Sequence, residues 1–147
     1  MIDPMFQGVS LPHRGTLHPL GFTLNIASNS PAALRAANES WGQFPRAFQE
    51  PAMDIRIVAS GHTANHRERE PGYKMNDHLY AITADRENFA AIDLERSFGF
   101  CSVSEEVIED TAYFRYFFLE ALAYSTLTYR CRRLPRTQHE LASGSGT

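Results

Sequence analysis

Cysteine is nearly missing from this chain, with Cys101 and Cys131 as its only two. Two thiols are too few for a disulfide framework or a four-cysteine zinc site, and they suit a reducing, cytoplasmic setting. Basic charge is also short. Fourteen Lys and Arg stand against 17 Asp and Glu, a formal net charge of -3, so no broad positive field exists to draw phosphate backbones, and no nucleic-acid partner is expected. Long apolar runs are absent too. The nearest, from Tyr113 to Tyr129, is interrupted by Arg115 and Glu120, which a membrane span of about 20 residues tolerates poorly, so no membrane partner is expected. The first 20 residues hold Pro4, Pro12 and Pro19 but no continuous apolar segment, so no secretory signal is expected there.

What is present suits one ordinary globular domain. The chain has 147 residues, 43% of them hydrophobic and 21% charged, enough to bury a sizeable core and far from a disordered composition. Ten Phe and six Tyr, beside a single Trp, supply large side chains for its interior.

Patterning along the chain predicts an α+β fold. Phe22, Leu24 and Ile26 alternate with Thr23 and Asn25, which reads as a half-buried strand over 21–27. Ser30-Pro31 then has the form of an N-cap followed by proline at the first helical position, and Gly42 offers a stop after Trp41. Pro45 and Pro51 mark a loop, with Phe44 and Phe48 expected to tuck inward. Met53, Ile55, Ile57 and Ala59 give a second strand. Residues 60–74 have few apolar side chains and read as an exposed loop. Three strands near 78–84, 88–94 and 97–103, joined by short polar turns, predict a meander. Ser104 and the acidic Glu105, Glu106, Glu109 and Asp110 open a helical region, with a break near Thr111 and helix again to about Arg130. The expected fold is therefore a mostly antiparallel sheet of about five strands, ending in a three-stranded meander, packed against two or three helices. A flexible arm over 1–19, a single domain over 20–134 and a flexible tail over 135–147 complete the expected organisation.

Few residues carry chemistry in a usable pattern. His62 and His66 have the spacing of two ligands on one helix face, but Gly61 and the lack of apolar periodicity argue against a helix there. No Glu follows His62 as a metallopeptidase signature requires. With Arg67 and Arg69 they form at most a ligand-orienting loop. His78 beside Asp77 reads as a strand-edge histidine, and the other carboxylates fall at helix starts and turns. Cys101, near a strand end with Phe98 and Phe100 close by, reads as an inert buried thiol. Arg115 and Glu120 interrupt an apolar helix; five residues apart, they do not share an α-helical face, so each is expected to pair elsewhere or, with Phe118, to mark an interface. The tail Ser143-Gly-Ser-Gly-Thr147 has part of the layout of a phosphate-binding loop but lacks its lysine, the preceding strand and the following helix.

The run Leu20-Gly-Phe-Thr-Leu-Asn-Ile-Ala-Ser-Asn-Ser-Pro, followed by Glu39-Ser-Trp-Gly-Gln-Phe-Pro, resembles the N-terminal region of bacterial HPr serine kinase-related proteins. Asp85-Arg-Glu-Asn-Phe-Ala-Ala-Ile-Asp-Leu and Tyr113-Phe-Arg-Tyr-Phe-Phe-Leu-Glu-Ala extend the resemblance over about residues 20–130. In such relatives this region precedes a kinase-like domain whose phosphate-binding loop does the chemistry. The resemblance implies an accessory domain, its kinase partner domain not included in this chain, and it carries over no catalytic residue. Residues and resemblance together lead to the expectation of a non-catalytic regulatory or interaction module without metal or cofactor. Its expected partner is a second copy or a kinase-like domain. The alternative is a binder of small acidic ligands, or an enzyme, that uses the 60–74 loop.

Overall fold

The computed structural model describes residues 10–60 and 70–132. Strand β1 (His13–Leu17) leads through a short 3-10 turn (Pro19–Gly21) into β2 (Leu24–Ser28). In β2 the alternation is realised, with Leu24, Ile26 and Ser28 buried. Helix α1 (Pro31–Trp41) starts on proline, whose fixed φ suits a first turn. Ser30 precedes it in extended conformation but makes no capping bond. Its hydroxyl instead donates to Glu105 Oε2 at 3.1 Å, tying the start of α1 to a distant helix. Strand β3 (Met53–Ser60) follows, then β4 (Gly72–Asn76), β5 (Leu79–Thr83), β6 (Phe89–Asp93) and β7 (Phe98–Ser104).

Helix α2 (Glu105–Glu109) is capped as its sequence suggests, the Ser104 hydroxyl accepting from the Val107 N–H at 3.2 Å. After a break at Asp110, a composite helix runs over 111–132. It consists of α3 (Thr111–Phe114), a π-helical segment (Arg115–Leu119) and α4 (Glu120–Arg132).

The strands form one seven-stranded sheet in the order β1-β2-β3-β7-β6-β5-β4. β2, β3 and β7 are mutually parallel neighbours, whereas β1 and the run β7-β6-β5-β4 pair antiparallel. This corrects the expected sheet of about five mostly antiparallel strands with a terminal three-stranded meander. The parallel pair follows from connectivity: α1 returns the chain to the end of the sheet where β2 began, so β3 must run alongside it in the same direction. The extra strands lie in segments expected to be irregular. β1 falls in the stretch read as an arm, where Gly15 sits under Leu34 so closely that an added Cβ would lie 2.8 Å from Leu34 Cδ1. β4 falls at the end of the 60–74 stretch, and all five of its residues are exposed. Neither offers the buried apolar alternation by which strands are recognised.

The large buried apolar side chains of the strands fall on one face: Leu24 and Ile26 of β2, Met53, Ile55 and Ile57 of β3, Cys101 and Val103 of β7, Ile92 of β6 with the smaller Ala90, and Ile82 of β5. The helices cover that face with Ala33, Ala37 and Trp41 from α1 and Phe114, Phe118, Leu119, Leu122 and Ala123 from the composite helix. The other face carries half-exposed Arg56, Val58, Phe98 and Phe100. Phe44 and Phe48, expected inward, are exposed, although Phe48 stacks on Phe22 with ring centroids 4.5 Å apart. Among the described residues no helix is long and apolar enough to cross a membrane.

Candidate functional site

The π-helical segment sets the geometry of the most distinctive surface. Five α-helical residues advance the chain well past one turn, but a π turn closes in five. Arg115 and Glu120 therefore meet despite the spacing that argued against it, with Nη2 3.8 Å from Oε2. Both converge on the end of α1. The Arg115 Nε–H donates to Ser40 Oγ at 2.8 Å, and that hydroxyl donates to Glu120 Oε2 at 2.8 Å. Glu39 Oε1 lies 3.6 Å from Arg115 Nη1. One turn further, the single tryptophan, fully buried, donates from Nε1 to the Tyr124 hydroxyl at 2.9 Å. These bonds hold the composite helix at a fixed height above the sheet.

The composite helix meets β5 through Ser125 and Tyr80 and reaches the exposed β4 through Phe117 and Tyr73, and a groove lies along this edge. It comprises two adjoining depressions that share Tyr116 and Glu120. The first, about 710 Å³, is lined by Glu70, Asp110, Tyr113, Arg115 and Phe117 besides those two. The second, about 430 Å³, is lined by Met75, Tyr124, Ser125, Tyr129 and Arg132 among others. On the sheet side Tyr73 and Tyr80 stack with centroids 6.0 Å apart. The Tyr73 hydroxyl donates to the Phe117 carbonyl at 3.4 Å, and Tyr80 is hydrogen-bonded to Ser125. All six tyrosines of the chain thus line or border one groove. Its mouth is open: Tyr116 is 68% exposed and Met75 55%.

Burial pushes the Tyr73 hydroxyl up from its usual 10 to about 12, and the neighbouring Tyr80, Glu70, Tyr113 and Tyr116 add to the rise. Burial likewise raises Tyr80, opposed by its bond to Ser125. Tyr73 and Tyr80 are therefore neutral hydrogen-bonding groups at physiological pH. Three carboxylates, Glu70, Asp110 and Glu120, face one guanidinium, Arg115, in the first depression, which disfavours an acidic ligand there.

Other expected positions lie elsewhere. His62, His66, Arg67 and Arg69 are outside the described residues. Phe118, expected with Arg115 and Glu120 at an interface, is fully buried in the core and offers a partner no surface. Cys101 is buried, its thiol pushed well up by desolvation, and Cys131 is exposed. His78 stands among Asp77, Asp93 and Glu95 at 3.4–4.0 Å. Among the described residues no group of three or more His, Cys, Asp or Glu could hold a metal ion. A further depression on the open sheet face, about 440 Å³, contains Thr16, Asn25 and Asp54. There Thr16 Oγ1 donates to Asn25 Oδ1 at 2.9 Å and Asn25 reaches Asp54 at 3.5 Å, so those polar groups already serve one another.

The groove was not apparent from the sequence, although two signals pointed to it. Tyr113, Tyr116, Phe117, Glu120 and Tyr124 recur at helical spacing on one stripe, and Tyr73 and Met75 alternate with Lys74 and Asn76. No protein-family model matches the chain, and neither a curated protein nor a solved structure does, so the functional reading rests on this geometry.

Proposed function

We propose that this chain is a non-catalytic interaction module that receives a segment of another protein in the tyrosine-lined groove. The observation that carries the reading is the open groove at the sheet edge that Tyr113, Tyr116, Tyr124 and Tyr129 line, with the stacked Tyr73 and Tyr80 on its sheet side. Tyrosine presents a large amphipathic surface with little conformational freedom to lose, which favours recognition of peptide chains. An accessory role agrees with the resemblance to the N-terminal region of HPr serine kinase-related proteins, whose kinase-like domain is one source of such a segment. A non-catalytic role is supported by the way the charged groups are engaged: Arg115 and Glu120 bind each other and Ser40 rather than pointing free into the groove.

A random-peptide display library panned against the protein tests the proposal. Selected peptides are expected to lose at least about tenfold in affinity with Tyr116→Ala or Met75→Ser, equivalent to about 1.4 kcal/mol. Both side chains are exposed, so both variants are expected to fold. Binders indifferent to both substitutions would overturn the groove as the recognition surface.

A further inference from the structure

The two ends of the sheet differ in a way that specifies how a partner segment enters the groove. At the β1 end, α1 lies directly over the strand, with Leu34 against Gly15. At the β4 end the helix stops short: β4 is exposed along its whole length, and no described strand pairs with its outer edge. In an antiparallel strand alternate residues direct both N–H and C=O outwards, so five residues offer about four to six outward hydrogen-bonding groups. These groups border the tyrosine groove, because Met75 of β4 lines it and Tyr73 reaches across it to the Phe117 carbonyl.

We infer that the partner segment adds to the sheet as an eighth strand on β4, with alternate side chains seated in the tyrosine groove. This rests on the groove reading and adds the mode of binding and the sequence pattern of the occupant. Residues on the same side as Tyr73 and Met75 face the groove and are apolar. At the Gly72 end the groove-facing residue is basic, because Glu70 and Asp110 add negative charge there beside the Arg115–Glu120 pair. On the opposite side the residue facing Lys74 is acidic. The same lysine argues against a second copy as occupant. Two β4 strands paired about their centre would set Lys74 against Lys74, a repulsion that edge strands use to block self-association.

A display library with the fixed pattern apolar–Glu–apolar–any–Lys, the Glu placed to oppose Lys74, supplies the probes. The strongest peptide is then resynthesised with each backbone nitrogen methylated in turn. Methylation at alternate residues is expected to lower affinity at least about tenfold, while methylation between them changes it less than about threefold, because only every other N–H faces β4. Lys74→Glu, an exposed substitution, is expected to shift preference by about tenfold from Glu-centred to Lys-centred peptides. Uniform tolerance of methylation, with continued dependence on Tyr116, overturns strand addition while leaving the groove reading intact. Independence from Tyr116 and Met75 overturns both. A concentration-dependent dimer abolished by methylated peptide would overturn the assignment of a foreign partner.

Discussion

Replacing Ser40 by alanine removes a hydroxyl that stands between a guanidinium and a carboxylate on a different element. Ser40 is only 8% exposed, accepts from Arg115 Nε and donates to Glu120 Oε2, both at 2.8 Å. Hydrogen bonds to charged groups contribute about 1.5–3 kcal/mol each when fully buried. Here the Arg115 and Glu120 side chains are 30% and 23% exposed, so water replaces part of what is lost. Arg115 also keeps its contact to Glu39 at 3.6 Å. A net loss of about 1–2 kcal/mol follows, which lowers the melting temperature by about 3–7 °C for a domain of this size. Urea unfolding at neutral pH measures it, and a double-mutant cycle with Glu120→Gln isolates the pair. If the three groups act as one unit, the two substitutions together cost at least about 0.5 kcal/mol less than their sum. Strict additivity, or a loss below about 0.3 kcal/mol, would refute the claim that this network fixes the helix over the groove.

Base should destabilise the fold through Tyr73. Its folded pKa is raised to about 12 from 10, so the unfolded chain gives up the proton first, the contribution is complete below pH 10, and it is lost as pH climbs from there through 12. Phenolate absorbance should show one tyrosine titrating last in the native protein, and Tyr73→Phe should remove that phase and flatten the alkaline decline in stability; an unchanged titration contradicts it. Gly99 sits in β7 where an added Cβ would lie 2.8 Å from the Ala91 carbonyl oxygen and from Ile92 Cβ. Gly99→Ala should therefore destabilise by about 1–3 kcal/mol in the same urea assay, although alanine loses less backbone entropy on folding than glycine.

The legibility of this fold depended on where burial writes a pattern. Leu24 and Ile26 in β2, Ser30-Pro31 at the start of α1, and Met53, Ile55 and Ile57 in β3 carry alternation or a stop-and-start signal, and each element occurs near its expected place. β1 and β4 carry none. One hides its inward position in a glycine, and the other is exposed at every residue. A clue to β4 did exist in Asn76-Asp77: the two-residue turn Asp77-His78 joins β4 to β5 with Asp77 at φ 60°, a conformation that Asn and Asp adopt more readily than most residues. The parallel arrangement of β2 and β3 was implied by the helix between them. Spacing fixes strand direction only where connections are too short to cross over, as between β5, β6 and β7.

At the groove the limit was local geometry. A five-residue separation places two side chains on different faces of an α-helix, so the sequence alone gives no reason to pair Arg115 with Glu120. The π turn that joins them leaves no simple mark in Arg115-Tyr-Phe-Phe-Leu119, and it is favoured by what α1 presents, Ser40 and Glu39 on one side and Trp41 against Tyr124 on the other. Contacts between residues 75 to 83 positions apart in the chain decide it, and a single sequence does not display them.

Ring-labelled tyrosine and phenylalanine in the intact protein, followed by NMR while a display-selected peptide is added, give the most direct examination of the binding surface. Resonances of Tyr73, Tyr116 and Tyr124 should move together and saturate at one stoichiometric equivalent, with Phe98 and Phe100 on the side of the sheet away from the helices left in place. Movement of those two phenylalanines with the tyrosines undisturbed would contradict the account.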